Sequence, residues 1–174
     1  MISGDGADEL FWGYPRFLST VKFKNWFKFH PIARRIAAYF LRKTGRQITA
    51  GIECKNIEEW VFQRMGPFYT QDVSKIMPNF NFSNQTKKLY KHSKNNFQSK
   101  FLLKWLKKNE FYGHMQRRLL KVDRASMANG LEVRIPYLDQ NIIDFSLQIK
   151  PELGIFHNEP KILLKECLKK YLPR

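Results

Sequence analysis

The sequence has few cysteines, no long hydrophobic run and a shortage of acidic residues. Its two cysteines, Cys54 and Cys167, lie far apart and neither belongs to a CxxC pair, so a disulfide framework is not expected and both should be free thiols. No stretch approaches the roughly 18 apolar residues that a membrane span requires. The residues after Met1 also lack the basic and apolar regions of a signal peptide. We therefore expect a cytoplasmic protein with no membrane partner.

The shortage of acids leaves a strong positive charge. The 174 residues include 31 Lys and Arg against 15 Asp and Glu, a formal net charge of +16. Such a balance favours polyanions, such as nucleotides, nucleic acid or an anionic membrane face, but a solvated lysine-rich surface is the simpler explanation. Hydrophobic residues make up 43% of the chain, which is enough for a core and argues against wholesale disorder.

Apolar residues recur at helical spacing through most of the chain, which predicts a mostly α-helical protein. The predicted helices cover Ala7–Arg16, the two sides of Pro31, Ile57–Met65, two faces between 102 and 120, 139 to about 150, and the residues after Pro160. The last of these is predicted to bury Leu168 and Tyr171, and the polar residues 79–100 to form a loop or helical hairpin. Only Met1-Ile2 resembles a strand, as the end of one.

The first chemical motif is the segment Ser3–Glu9, which places three carboxylates beside two glycines. An apolar pair, a glycine-acid turn and then a helix are typical of the carboxyl end of a parallel strand, where ligands of open α/β sheets bind. Clustered carboxylates repel one another unless a cation shares them, and Mg²⁺ prefers one or two carboxylates together with substrate phosphates. The pattern favours a magnesium-nucleotide site. The alternative is that the acids merely stabilise a helix N-terminus, and the two glycines on either side of Asp5 favour the ligand site slightly over it.

A second cluster, between 121 and 139, mixes charges of both signs with small residues. Asp123 and Arg124 precede a glycine, and Glu132 and Arg134 follow it. Compact mixed charge of this kind favours a closely packed polar site, although an ion-pair network that fixes a loop has the same signature. We expect the acids of the first motif and this cluster to lie close together around a shared cavity.

Both segments resemble signatures of glutamine-dependent asparagine synthetases. SGDGADELFWGYPRF is similar to that family's SGDGADELFGGYxRY, and KVDRASMANGLEVRIPYLD to its VDRxSMAxGLEVRxPFLD. The closing KILLKECLKKYLPR resembles the family's lysine-started helix and Leu-Pro pair, whereas residues 20–100 match only in helical character. The resemblance implies that residues 1–174 are the helical C-terminal portion of an α/β synthetase domain of the adenine-nucleotide α-hydrolase-like (PP-loop ATPase) fold.

The resemblance also implies a reaction and roles for named residues. ATP and Mg²⁺ would activate aspartate as an acyl-adenylate, which ammonia from a glutaminase domain then attacks. Asp8 falls on the family's magnesium ligand, and Asp5 and Glu9 would be the catalytic acids. Ser3, Gly4 and Gly6 would line the nucleotide site. The implied substrate pocket consists of Asp123, Arg124, Glu132 and Arg134.

The sequence departs from the family pattern in two respects. Trp12 stands where the family has glycine, and its indole is expected to crowd the neighbouring helix. The 174 residues also contain no glutaminase domain, no SGGxDS-type phosphate loop and no RxKxGF segment. We therefore expect the chain to be inactive alone, as a fragment or one piece of a split enzyme. Apolar helix faces should be exposed where a sheet is missing.

Two other functions remain open from the sequence. A related amidotransferase would use the same chemistry on a sugar acid or a peptide carboxylate. A basic helical module that binds nucleic acid is a weaker alternative. It rests on the net charge and on aromatics among cations, as in Lys22–Lys28, because aromatic side chains can stack on bases.

Overall fold

The computed structural model describes residues 1–43, 54–65, 73, 75–81, 83–92, 97–155 and 159–172, and these residues are mostly helical. They fall into two compact units. The first combines Met1–Leu18 with Gln98–Arg174, and the second is Ser19–Phe97. An isolated parallel bridge joins Ile2 and Arg134. The predicted mostly helical class is therefore confirmed.

The α-helices whose bounds are described are numbered here along the chain. In chain order they are α1 (Ala7–Leu10), α2 (Pro15–Phe23), α3 (Pro31–Lys43), α4 (Ile57–Gln63), α5 (Asn84–Leu89), α6 (Ser99–Asn109), α7 (Gln116–Met127), α8 (Gln140–Gln148), α9 (Pro151–Gly154) and α10 (Ile162–Leu168). A 3-10 helix at Lys24–Lys28 separates α2 from α3, and a second one, Pro136–Leu138, precedes α8. No described helix is both long enough and apolar enough to cross a membrane.

Side-chain caps and prolines explain several of these boundaries. The Asn56 side chain accepts a hydrogen bond from the Glu59 amide at 2.8 Å and so begins α4. Asp139 caps α8 in the same way, and Pro31 is the first residue of α3. Within the polar segment 79–100, Ser83 caps the short helix α5, so the prediction of a helical element there is confirmed for that part.

The predicted single helix over Ala7–Arg16 is wrong. The first helix ends at Leu10, and Trp12 has a φ of 53°, which is left-handed backbone that no α-helix contains. A new helix begins at Pro15, whose ring is compatible only with a first turn. Apolar periodicity runs across this break because both sides of it face the same core.

The first unit is organised around one long helical segment. Helices α6 and α7 are joined without interruption by a π-helical turn, Glu110–Met115. The most deeply buried apolar side chains of the unit pack on this segment, and they are Leu10, Trp12, Phe17, Leu102, Leu106 and Met115. The strong apolar faces predicted between 102 and 120 are therefore confirmed on the α6 side.

The second unit has a small core around Trp60. The Phe27 ring lies 5.1 Å from the Trp60 ring, and Phe23 contacts the same indole edge-on at 6.5 Å. Arg34 is buried with its guanidinium 4.6 Å from the Phe27 ring centroid, and its Nη2 donates to the Lys55 carbonyl at 2.9 Å. Because Phe23 and Phe27 pack on Trp60, these rings serve this core, which weakens the case for aromatics displayed to nucleic acid.

Two predictions about burial have opposite outcomes. Leu168 and Tyr171 were predicted to be buried, but they are 52% and 81% exposed, so that prediction is wrong. Helical spacing identifies an apolar face but does not show that anything covers it. The prediction that apolar helix faces are exposed is confirmed at Met127 and Phe145, which are both 61% exposed, and Met1 and Ile2 are exposed before the first helix.

Candidate functional site

The backbones of the two sequence motifs pair directly. Ser3 N donates to the Arg134 carbonyl at 2.9 Å, and Arg134 N donates to the Met1 carbonyl at 2.8 Å. The terminal ammonium of Met1 reaches the Glu132 carbonyl at 2.9 Å. The strand-like character predicted for Met1-Ile2 thus appears as the parallel bridge at Ile2. The expected proximity of the two motifs is also found.

The turn between the bridge and α1 requires glycine at Gly6. Its φ of 92° lies in the left-handed region, and a Cβ there would sit 3.2 Å from the Cβ of Tyr137. Ser3 stabilises the same turn, because its hydroxyl donates to Asp5 Oδ2 at 2.6 Å and accepts from the Asp5 amide at 3.3 Å. The chain therefore fixes the Asp5 carboxylate through Ser3, close to the second motif.

Arg118, from α7, joins two acids of the first motif. Its guanidinium lies 3.3 Å from Asp5 Oδ1 and 3.4 Å from Glu9 Oε1. Glu9 is only 1% exposed, and the Tyr14 hydroxyl donates to it at 2.6 Å. Burial and this hydrogen bond raise the pKa of Tyr14 above its ordinary value, so Tyr14 remains a neutral donor. Arg118 also donates to the Tyr14 hydroxyl.

Asp8 is separated from this network and pairs with another cation. Lys161 Nζ lies 2.7 Å from Asp8 Oδ1, and about a third of each side chain is exposed. Gly13 makes room for the pair, since a Cβ at that position would lie 1.8 Å from Asp8 Oδ1 and 2.2 Å from Lys161 Cε. Each of the three acids of the motif is therefore paired with a cation of the chain, Asp5 and Glu9 with Arg118 and Asp8 with Lys161.

A second buried polar network lies beside the first, and sequence reasoning missed it. Glu110, in the π-helical turn, is fully buried and accepts from Arg16 through both Nε and Nη2. His114 lies 3.2 Å from Arg16 Nη2, and burial with the nearby Arg16 charge lowers its pKa to about 4, so the ring is neutral at pH 7. Glu110, His114 and Arg118 recur at four-residue spacing. That spacing was the available signal for a polar face.

The predicted substrate-pocket residues lie at the surface around a cavity of about 410 Å³. Asp123, Glu132 and Arg134 line it, whereas Arg124 does not. Glu132 and Arg134 form an exposed ion pair at 2.8 Å. The lining includes none of the three acids of the first motif, so this cavity is not shared between those acids and the 121–139 cluster.

Trp12 is accommodated in the structure. Its indole is fully buried, its Nε1 donates to the Leu103 carbonyl at 3.1 Å, and its ring lies over Gly154. A Cβ on Gly154 would be 2.0 Å from the ring, so a glycine elsewhere provides the space. Lys107 Nζ sits 3.5 Å from the indole centroid and donates to the Ser146 carbonyl at 2.5 Å. The expected crowding is therefore relieved at Gly154.

The part of the chain that the structure describes holds no group of three or more His, Cys, Asp or Glu side chains suited to a metal ion. This does not conflict with the chemistry of Mg²⁺, which takes one or two protein carboxylates and completes its shell with water and phosphate oxygens. Asp8, partly exposed and paired with a single lysine, fits that mode of binding. Glu9 does not fit it, because it is buried.

Comparison with known proteins agrees with these motifs. A family model described as asparagine synthase matches residues 1–174. Asparagine synthetase (glutamine-hydrolyzing) 1 of Bacillus subtilis is 25% identical over 186 residues, covering 99% of this chain and 28% of the relative. A putative asparagine synthetase of Mycobacterium bovis is 24% identical over 190 residues, covering 99% of this chain and 27% of the relative.

A probable asparagine synthetase of Acanthamoeba polyphaga mimivirus is 40% identical over 55 residues, or 30% of this chain and 10% of the relative. This chain thus spans little more than a quarter of the relatives that match it end to end. No solved structure matches the chain. Because the family model covers the chain from its first residue to its last, the chain belongs to the asparagine synthase family.

Proposed function

We propose that this chain contributes part of the active site of an ATP-dependent synthetase that forms an amide, asparagine from aspartate, through an acyl-adenylate. The ammonia would come from glutamine at a glutaminase domain outside these residues. The observation that carries the proposal is the backbone pairing of Ile2 with Arg134, because it places both family signatures at one point of the fold.

The proposed roles of the three acids differ because their surroundings differ. Asp5 is held by Ser3 and Arg118 but keeps part of its side chain exposed, so its carboxylate can face substrate. Glu9 is buried against Tyr14 and Arg118, and we assign it the positioning of these two side chains. This differs from the catalytic role that the family resemblance implied for Glu9.

Asp8 would hold the magnesium ion that accompanies ATP. Bound there, Mg²⁺ would stabilise the negative charge that develops on the pyrophosphate leaving group. Ser3, Gly4 and Gly6 would line the nucleotide site at the turn before α1. Lys161 must release Asp8 or share it with the metal, because its ammonium lies 2.7 Å from the carboxylate.

The fold proposed for the whole domain is a parallel sheet of the PP-loop type, with the helices of this chain packed on it. Two features support the proposal. The bridge at Ile2 is parallel, and Met1 and Ile2 are 74% and 77% exposed, as the end of a strand would be in the absence of its neighbours.

A paramagnetic metal locates the proposed site directly. We expect Mn²⁺ with ATP, added to the chain, to broaden the backbone amide NMR signals of Gly4–Glu9, Gly13 and Lys161. Asp8→Asn should remove this local broadening, because the metal loses its carboxylate ligand. Asp144→Asn, a matched change at an exposed acid of α8, should leave the broadening unchanged. Broadening confined to the cavity at Asp123 and Glu132, or none at all, would refute the assignment.

ATP–pyrophosphate exchange by the complete synthetase would identify the carboxylate substrate. The candidate substrates to test in this assay are aspartate, a sugar acid and a peptide carboxylate, since the motifs alone do not distinguish them. Exchange with aspartate by the chain alone would contradict the expectation that it is inactive without further parts.

A further inference from the structure

Helix α3 in the second unit turns a row of large apolar side chains toward solvent. Ile32, Ile36, Tyr39 and Phe40 follow one another at helical spacing and are 60%, 53%, 56% and 61% exposed. The opposite side of the helix already packs on the unit through Arg34 and Ala38, which are buried. The exposed row is therefore a second apolar face, and a soluble surface helix normally has polar residues there.

The segment around α3 is also free of negative charge. From residue 10 to residue 52 the sequence contains nine Lys and Arg and no Asp or Glu. Arg35 is exposed at the edge of the apolar row. Lys43 places its ammonium 4.9 Å from the Tyr39 ring centroid, so its stem covers the end of the row. A helix that lies in a membrane interface combines an exposed apolar stripe with cations along an edge of it, and α3 has both.

We propose that α3 docks this protein on an anionic lipid bilayer. The helix would lie in the plane of the surface, with Ile32, Ile36, Tyr39 and Phe40 among the upper acyl chains. Arg35 and Lys43 would contact the anionic headgroups.

Two features favour a bilayer over other partners. Isoleucine side chains have no flat face for stacking on bases, so the row suits lipid better than single-stranded nucleic acid. A second copy of the chain would bring the same positive segment to the contact, and the repulsion would oppose pairing.

The proposal does not depend on the proposed function. Helix α3 belongs to the Ser19–Phe97 unit, whereas both family signatures belong to the other unit. The sequence led us to expect no membrane partner because it contains no spanning segment, but an interfacial helix of 13 residues needs none.

Vesicle co-sedimentation of the full chain tests the proposal. The probes are phosphatidylcholine vesicles with and without phosphatidylglycerol. We expect binding only to the anionic vesicles and weaker binding as salt is raised, because surface electrostatics are screened. The double variant Ile36→Glu/Phe40→Glu should bind the anionic vesicles at least about tenfold more weakly, since two apolar side chains that enter the bilayer in this proposal become charged.

The matched control is Leu168→Glu/Tyr171→Glu. It makes the same change in net charge at two exposed apolar residues in the other unit, and its binding should stay within about threefold of wild type. Both variants replace exposed side chains, and far-UV circular dichroism checks that the helices are retained.

Several results would overturn the proposal. One is the absence of binding to anionic vesicles, and another is equal binding to neutral and anionic vesicles. A third is an equal loss of vesicle binding in the two double variants. If gel filtration shows a wild-type dimer that the α3 variant converts to a monomer, with no vesicle binding, the face is a contact between copies. If the α3 variant loses binding to single-stranded RNA instead, while vesicles are not bound, the face is a nucleic-acid surface.

Discussion

Lys107 provides the most direct test of the energetics of the first unit. Its side chain is 3% exposed, and its ammonium lies between the Trp12 ring and the Ser146 carbonyl. Burial, with a smaller contribution from the positive charge of Lys104, lowers its pKa from 10.5 to about 7. The indole face acts in the opposite direction because it attracts a cation. The pH dependence of stability measures which effect is larger.

The sign and size of the expected effect follow from proton linkage. Below pH 7 both the folded and unfolded states carry the proton, so the destabilisation due to Lys107 is present in full. Between pH 7 and 10.5 the unfolded state binds more protons, so the free energy of unfolding rises with pH. Above pH 10.5 the rise ends. For these two pKa values the gain between about pH 7.5 and 9.5 is about 2.5 kcal/mol.

The variant Lys107→Met isolates this contribution. Methionine is unbranched and fills similar space, and the Ser146 carbonyl still accepts from the Ile149 amide at 3.3 Å. Urea unfolding followed by far-UV circular dichroism should show a wild-type stability that rises with pH and a variant stability that rises about 2.5 kcal/mol less. Lys108→Met, at an exposed neighbour, should keep the wild-type slope. Equal slopes for wild type and Lys107→Met would show that the indole keeps the ammonium charged, and the desolvation argument would be wrong.

Two further substitutions test packing and a buried charge by urea unfolding. Gly154→Ala should destabilise by about 1–3 kcal/mol because its Cβ would be 2.0 Å from the Trp12 ring. At Gly4 nothing lies within 4 Å of an added Cβ, so the free energy of unfolding of Gly4→Ala should stay within about 0.5 kcal/mol of wild type. A similar loss of stability in the two variants would contradict the packing account. Glu110→Gln should cost about 3–5 kcal/mol because Arg16 loses its buried partner. A loss below about 1 kcal/mol would mean that the pair contributes no more than a surface ion pair.

Much of the helical architecture could be predicted from the sequence, whereas its interruptions could not. Apolar spacing and capping residues act within a few positions, so α4, which begins after Asn56, and α8, which begins after Asp139, were accessible to sequence reasoning. The break at Trp12 could not be predicted, because tryptophan rarely has a positive φ and its ring packs against Gly154, far along the chain. The π-helical turn at Glu110–Met115 has no periodic signature either.

The sequence indicated the two segments of the candidate site but not the ion pairs that their acids form. The family resemblance implied that Ser3–Glu9 and the 121–139 cluster belong to one site, and the backbone pairing at Ile2 brings the two segments together. The cations that neutralise the acids come from elsewhere in the chain. Arg118 lies in α7 and Lys161 precedes α10, and no local pattern assigns either one to a particular carboxylate.

These pairings change what the acidic motif can do under the proposed function. Three unpaired carboxylates would attract any divalent cation, because their mutual repulsion would be relieved on binding. Here Asp5 is already paired with Arg118, and Asp8 with Lys161. A metal that arrives alone must displace Lys161 and leave an ammonium without an anion. A metal that arrives with ATP brings phosphate oxygens. These oxygens can pair with the Lys161 ammonium when the metal binds the Asp8 carboxylate. The site should therefore favour the metal–nucleotide complex over the free ion.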